Sequence, residues 1–323
     1  MENCIVCKFG GTSLSCGANF RRVRDVVRRD PRRRYIVVSA PGKRFPGDVK
    51  ITDRLLAASA ETGEARSRLL DPVHVVFRSI AEELNLGSVE DDLQALDAAA
   101  GKGQSAAASR GEWLCARLAA RYLNLPFRDA DGLFFFRDGI LDESRTAEAL
   151  RLLPEEGAVI PGFYGSDEAG NIVTFPRGGS DVTGALIAAA LSASLYENWT
   201  DVSGFYSADP ALVPESAPIP HLDYRQAELF CRLGAKVLQA DCVSHAAKAG
   251  IPILVKNTFA PDEPGTLISE GGAWDGPFLV ADDRGRIRAV NLPGGELTFF
   301  CEESGLPERY RDLYARYIAP SGI

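Results

Sequence analysis

The sequence predicts an α/β protein, a three-layer α/β/α sandwich around a mostly parallel central sheet. Three observations predict it. Short apolar runs recur at Cys4–Cys7, Tyr35–Val38, Ala158–Ile160 and Ile251–Val255, and such runs read as strands buried on both faces. Stretches with helical spacing lie between them, as in the valines 23, 26 and 27 set among arginines. Glycine, proline and hydroxyl clusters follow several of the runs, at the strand ends where open α/β sheets bind ligands. At 323 residues the chain suits two lobes, or one large α/β domain with an appendage.

The formal net charge of −8 argues against a nucleic-acid or anionic-membrane partner, so a small anionic ligand would need a local positive site. Seven scattered cysteines and no signal peptide point to reduced thiols in the cytoplasm. Cys4 and Cys7 form a C-x-x-C inside a strand with no second pair at metal spacing, so they read as small buried side chains. No apolar run reaches the ~18 residues of a membrane span. The three histidines are dispersed and sit in no metal or triad pattern.

In chain order, Cys4–Cys7 is followed by Lys8-Phe9-Gly10-Gly11-Thr12-Ser13. A strand, a glycine turn and capping hydroxyls before a helix at 19–29 make a nest of N–H groups for an anion, with Lys8 as a point charge. The same run also reads as a plain βα turn beside a surface lysine. The eight arginines of residues 21–34 decorate the solvated face of that helix. Tyr35–Val38 ends in Ser39-Ala40-Pro41-Gly42, and Thr52-Asp53 is expected to cap the next helix. Residues 54–125 look helical, with helices at 67–84, 89–100 and 106–122. Glu112 in the last has only Ala108 and Ala116 at i±4, so it is either an exposed glutamate or a ligand for an ammonium.

Strand and helix then alternate again. A strand is expected at 133–136, a helix at 146–153, a strand at 158–160 running into Pro161-Gly162-Phe163, and a hairpin turn at 165–171. Arg177-Gly178-Gly179-Ser180-Asp181 opens a helix expected at 182–195. The run serves equally well as an N-cap with a surface arginine or as a carboxylate grip at a helix N-terminus. A strand near 196–200 leads into a polar loop from Asp201 to Pro220, either a plain loop or a platform for a base and ribose with Tyr206 as a stacking face. Helices at 224–231 and 237–249 and the strand 251–255 follow. Beyond Gly271-Gly272 a hairpin about Asp282–Gly285 and a helix at 306–317 are expected.

With these residues in place, the chain resembles the aspartate kinases of the amino acid kinase family. The resemblance rests on residues 8–13, Val37–Phe45, Gly111-Glu112, 161–163, 177–181, Thr200–Pro210, Leu233–Leu238, 257–259 and 264–266, in family order. It implies an amino acid kinase-like fold and ATP-dependent phosphorylation of the side-chain carboxylate of L-aspartate to 4-phospho-L-aspartate, the first step of the aspartate-family (lysine, threonine, methionine) pathway. By the same resemblance Lys8, Asp181 and Ser39 are catalytic, and Thr12, Thr52, Glu112, Arg177 and Ser180 bind the substrate. Gly10, Gly11, Ser13, Thr200, Asp201, Tyr206, Asp209 and Lys236 surround ATP. Mg2+ is carried mainly on the nucleotide phosphates, and no protein metal site is implied.

The family usually has arginine where Ala211 stands and His-Pro where Gln239-Ala240 stands. The expected division is a catalytic domain over 1–270, with a substrate lobe to about 175 and a nucleotide lobe over 176–270. A short extension over 271–323 falls short of a full ACT regulatory domain, so feedback control is not expected. A homodimer is compatible with the sequence. The alternatives are a kinase of another small carboxylate and a non-catalytic binding homologue.

Overall fold

The computed structural model describes residues 3–176, 178–302 and 305–319. Its centre is a seven-stranded sheet built from Ile5–Phe9 (β1), Arg33–Val38 (β2), Ala158–Pro161 (β3), Leu195–Thr200 (β4), His221–Leu222 (β5), Ile253–Asn257 (β6) and Thr266–Ile268 (β7), in the order β5-β7-β6-β4-β1-β2-β3. Every neighbouring pair is parallel except β6 with β7. All five residues of β1 are buried, as its central place requires.

Side-chain alternation along β4 shows the three layers. Tyr196 and Asn198 turn to the helix Gly179–Ala190, where the Tyr196 hydroxyl donates to the Asp181 carbonyl at 3.1 Å and the Asn198 amide to the Asp181 side chain at 2.9 Å. Glu197 and Trp199 turn the other way. There Arg33 grips Glu197 with two nitrogens at 2.9 and 3.0 Å and reaches the Val26 carbonyl of the helix Gly17–Arg28 at 2.7 Å. The Trp199 indole donates to Glu197 at 2.8 Å and the Cys7 thiol at 3.4 Å. Burial first, and then the Glu197 charge, push the Cys7 thiol well up, so it stays neutral.

This ion pair joins three strands below the sheet, and Glu197 is only 2% exposed. Replacing Glu197 with alanine leaves Arg33 uncompensated in a partly buried site. The expected loss is about 3–5 kcal/mol of stability, read as a lowered urea midpoint at unchanged slope.

Three smaller sheets accompany this body among the described residues, one of them a two-stranded hairpin. Ile140–Leu141, Phe135–Arg137, Tyr164–Asp167 and Ile172–Thr174 form a four-stranded sheet in that order. It contains the expected hairpin over 165–171. Phe175 closes it, with its ring edge-on to Phe134 and Phe136 at 5.9 and 5.0 Å. The C-terminal part is a three-stranded antiparallel sheet, Phe278–Ala281, Arg286–Leu292 and Gly295–Phe300, followed by the helix Leu306–Tyr317. Phe278 stacks on Phe230 at 3.8 Å between centroids, so this sheet shares the main core.

Several element expectations change. The helix expected over 106–122 is two, Gln104–Ala108 and Arg110–Leu123. The helix expected over 146–153 starts earlier, at Glu143, because Asp142 caps it by accepting from the Arg145 N–H. The strand expected at 133–136 is Phe135–Arg137, since a short 3-10 turn occupies Ala130–Gly132. The helix opened by residues 177–181 begins at Gly179 and ends at Ala190. Thr52 and Asp53 do not cap their helix, which runs Ile51–Ser59 from Lys50; both lie in its first turn. Thr12 and Ser13 likewise lie in a 3-10 turn, Gly11–Leu14, and cap no helix. The polar loop after Asp201 contains a small hairpin, Phe205–Tyr206 with Pro218–Ile219.

Candidate active site

Lys8 stands near the end of the central strand, opposite Val37 on one side and Asn198 on the other. Its side chain is held by the first turn of the helix Gly179–Ala190, with Nζ 2.7 Å from Asp181 Oδ1. The Asp181 carboxylate also accepts from the Asn198 amide at 2.9 Å and from the Gln239 backbone N–H at 3.3 Å. Both members of the pair are buried. Gln239 precedes the helix Ala240–Lys248, so two helix N-termini converge here, each favouring negative charge.

The glycine turn lies directly above. Gly10 donates its N–H to the Trp199 carbonyl at 2.9 Å, and Gly42 donates to the Gly11 carbonyl at 2.7 Å. A Cβ on Gly42 would sit 2.7 Å from the Gly11 carbonyl carbon and the Thr12 nitrogen, so only glycine lets the two loops close backbone to backbone. Ser39 is half-buried and bonds the Phe9 carbonyl through its N–H at 3.1 Å. Thr12 is exposed beside this turn, and Thr52 is half-buried. The Ser13 hydroxyl is buried against Thr258 Oγ1 at 2.8 Å.

Glu112 is buried, not exposed, at 6%. The neighbouring Gly111 lets the helix press onto the Ser39–Gly42 loop, because a Cβ there would lie 2.8 Å from that of Ala40. The Glu112 carboxylate accepts the Ala40 N–H, yet Oε2 has no hydrogen-bond partner among the described residues. Burial raises its pKa to about 7, against the weaker opposing effect of the Ala40 and Glu112 backbone N–H groups. A buried carboxylate oxygen with no donor calls for one from a ligand.

Ser180 is buried against Gly162, where a Cβ would come within 2.6 Å of its hydroxyl oxygen. Arg177 lies outside the described residues.

The remaining candidates lie at the end of β4, in the loop after it, and at residue 236. Thr200 Oγ1 lies 3.2 Å from Asp201 Oδ1 at the end of β4. Asp209 caps its own turn by accepting from the Ala211 N–H at 2.9 Å. Lys236 is exposed and pairs with Asp283 of the C-terminal hairpin at 2.5 Å. Two cavities open here. One of about 840 Å³ is lined by Tyr206, Asp209 and Lys236. The other, about 600 Å³, is lined by Asp181, Lys236 and Gln239. The structure thus brings Lys8, Gly10 and Asp181 together and joins the Gly11 turn to Glu112 through Ala40 of the Ser39–Gly42 loop. Tyr206, Asp209 and Lys236 lie around a neighbouring hollow.

The roles of Asn198 and Gln239 as donors to Asp181 escaped the sequence reading. Asn198 had a signal, being an amide inside the strand expected near 196–200. Gln239 entered only as a departure from the family pattern, inside the helix expected over 237–249; the structure starts that helix at Ala240.

The chain matches the model of the amino acid kinase family over residues 3–257. It is 36% identical over 313 residues to "Aspartokinase 3" of Bacillus subtilis, covering 87% of this chain and 67% of that protein. To "Lysine-sensitive aspartokinase 3" of Escherichia coli it is 33% identical over 299 residues, covering 83% and 64%. Among solved structures it is similar to Clostridium acetobutylicum aspartate kinase, with TM-score 0.78 and 37% identity over 86% of this chain and 66% of that one. It is also similar to E. coli aspartokinase III in complex with aspartate and ADP, with TM-score 0.76 and 29% identity over 86% and 67%. The chain spans about two thirds of the length of these relatives.

Proposed function

Because the chain belongs to the amino acid kinase family, we propose that it transfers the γ-phosphoryl group of ATP to the side-chain carboxylate of L-aspartate, giving 4-phospho-L-aspartate and ADP. The observation that carries this reading is the pairing of two unlike sites on one loop. Ala40 donates its N–H to the buried Glu112 carboxylate on one side, and its carbonyl meets Gly11 of the Lys8 turn on the other. The Glu112 side takes an ammonium, and the Lys8 side takes a phosphate.

Phosphoryl transfer asks for positioning and charge neutralisation rather than covalent help from the protein. The acceptor carboxylate is already ionised at neutral pH, so no general base is required. One of its oxygens forms the new bond to phosphorus as the bond to the β-phosphate bridging oxygen breaks, and ADP leaves with that electron pair. Lys8 and the Gly11 N–H stabilise charge on the moving group, Gly10 shapes the turn with its own N–H tied to the Trp199 carbonyl, and Asp181 aims Lys8. Glu112 holds the substrate ammonium, Arg177 takes the α-carboxylate, and Ser180, Thr12 and Thr52 complete the acceptor pocket beside Ser39. Thr200, Asp201, Tyr206, Asp209 and Lys236 face the nucleotide. Magnesium would be carried mainly on the nucleotide phosphates.

Hydroxylamine trapping tests the reading. With MgATP, aspartate is expected to give a hydroxamate, while glutamate and other small acids give little. A hydroxamate from a different acid alone would reassign the substrate, and none from any acid would remove the kinase reading.

A further inference from the structure

The larger cavity has two sides. Phe205, Tyr206 and Asp209 of the loop after β4 form one; Leu279, Cys301 and Leu306 of the C-terminal segment help form the other. At about 840 Å³ with aromatic and aliphatic walls, it has the size and character of a site for a drug-sized organic ligand. The two sides are bonded to each other. Leu279 donates its N–H to the Ser207 carbonyl at 2.8 Å. The Tyr310 hydroxyl donates to the Leu279 carbonyl at 2.7 Å and accepts the Asp209 N–H at 3.1 Å. Arg311 reaches the Leu212 carbonyl at 3.2 Å.

The hollow also has a direction. Lys236, Asp282 and Asp283 line both it and the smaller cavity, and the smaller cavity reaches Asp181, the partner of Lys8. A planar apolar group in the larger cavity would therefore lead past Lys236 to the reaction centre. That is the shape of a nucleoside triphosphate.

We propose that residues 278–285, 301–302, 306 and 310 of the C-terminal segment are a wall of the nucleotide site: they close the base pocket from the side opposite Tyr206 and set how well the base is held. This rests on the kinase reading for the identity of the nucleotide. The segment contributes surface and shape, while the phosphates are handled by residues of the main body. Base selectivity is thereby assigned to residues beyond the 3–257 span that the family model covers.

The first test needs no substitution. Cys301 is half-buried and lines the cavity. Saturating ADP is expected to slow alkylation of Cys301 by N-ethylmaleimide at least about fivefold, followed by peptide mass spectrometry, while aspartate leaves the rate unchanged. The second test is Leu306→Trp, which fills the cavity. The KM for ATP is expected to rise about tenfold or more, with the KM for aspartate and kcat within about twofold of the native values. Equal alkylation of Cys301 with and without ADP, in a chain that still forms hydroxamate, overturns the wall and leaves the kinase standing. Protection of Cys301 by ADP in a chain that forms no hydroxamate keeps the wall and removes the kinase. An unchanged KM for ATP in folded Leu306→Trp also overturns the wall.

Discussion

Replacing Lys8 with alanine is expected to lower kcat for acyl phosphate formation about 10³-fold, a loss of about 4 kcal/mol of transition-state stabilisation. The size follows from the burial of the pair. Lys8 is 9% exposed and Asp181 8%, so their charges act in a medium that screens less than water. Losing the ammonium also leaves the Asp181 carboxylate, with Asn198 and Gln239 as its remaining donors, facing an incoming phosphate of like charge. Lys8→Ala should therefore be worse than Lys8→Ala combined with Asp181→Asn, which removes the stranded charge. Hydroxamate production at saturating substrates measures both, with circular dichroism confirming the fold. Turnover within about threefold of native in the single variant would remove Lys8 from the reaction.

Glu112 gives the second large effect, and its sign is worked out from its raised pKa of about 7. In the empty site the carboxyl is mostly protonated at pH 6 and mostly ionised at pH 8. The aspartate ammonium binds the ionised form, so the KM for aspartate is expected to rise about tenfold from pH 8 to pH 6. Glu112→Gln should abolish that slope and hold the KM roughly 30- to 100-fold above native at pH 8, the loss of a buried charged hydrogen bond. A native KM that is flat across this window would place the ammonium elsewhere.

The same shift predicts an opposite effect on the empty chain. A carboxyl whose folded pKa is raised from 4.5 to about 7 gives its full stability below pH 4.5 and loses it as pH rises through 7. The ionised group costs about 3 kcal/mol at pH 8. Unliganded Glu112→Gln should then have a higher urea midpoint than native at pH 8, with the difference closing near pH 4.5.

Local chemistry made much of this site legible. Apolar runs and glycine turns marked β1, its loop, the hairpin of residues 164–174 and the hairpin about Asp282–Gly285, because each is decided by neighbours in sequence. What depended on register was hidden. Asp181 meets Asn198 and Gln239 only once the sheet has formed, and the Ser13 hydroxyl finds Thr258 across 245 residues. The burial of Glu112 was not visible. Its alanine neighbours at i±4 offered no partner and left it either exposed or a ligand for an ammonium, and the close approach of the Ser39–Gly42 loop was not written in the helix. The strand Gly295–Phe300 was missed because its residues are nearly all exposed and carry no inward-outward alternation.

The placing of β1 between β2 and β4 has a cost during synthesis. Cys7 pairs across to Glu197, 190 residues downstream. At about 5–20 residues per second, a ribosome leaves that edge of β1 open for roughly 10–40 s after it emerges. An open apolar edge invites pairing with a wrong strand or another nascent chain, and an inward-pointing charge is one guard against it. Lys8, the one charged residue of β1, is such a charge until Asp181 arrives to neutralise it. The side chain assigned to the phosphate would thus first serve the chain as a gatekeeper against aggregation.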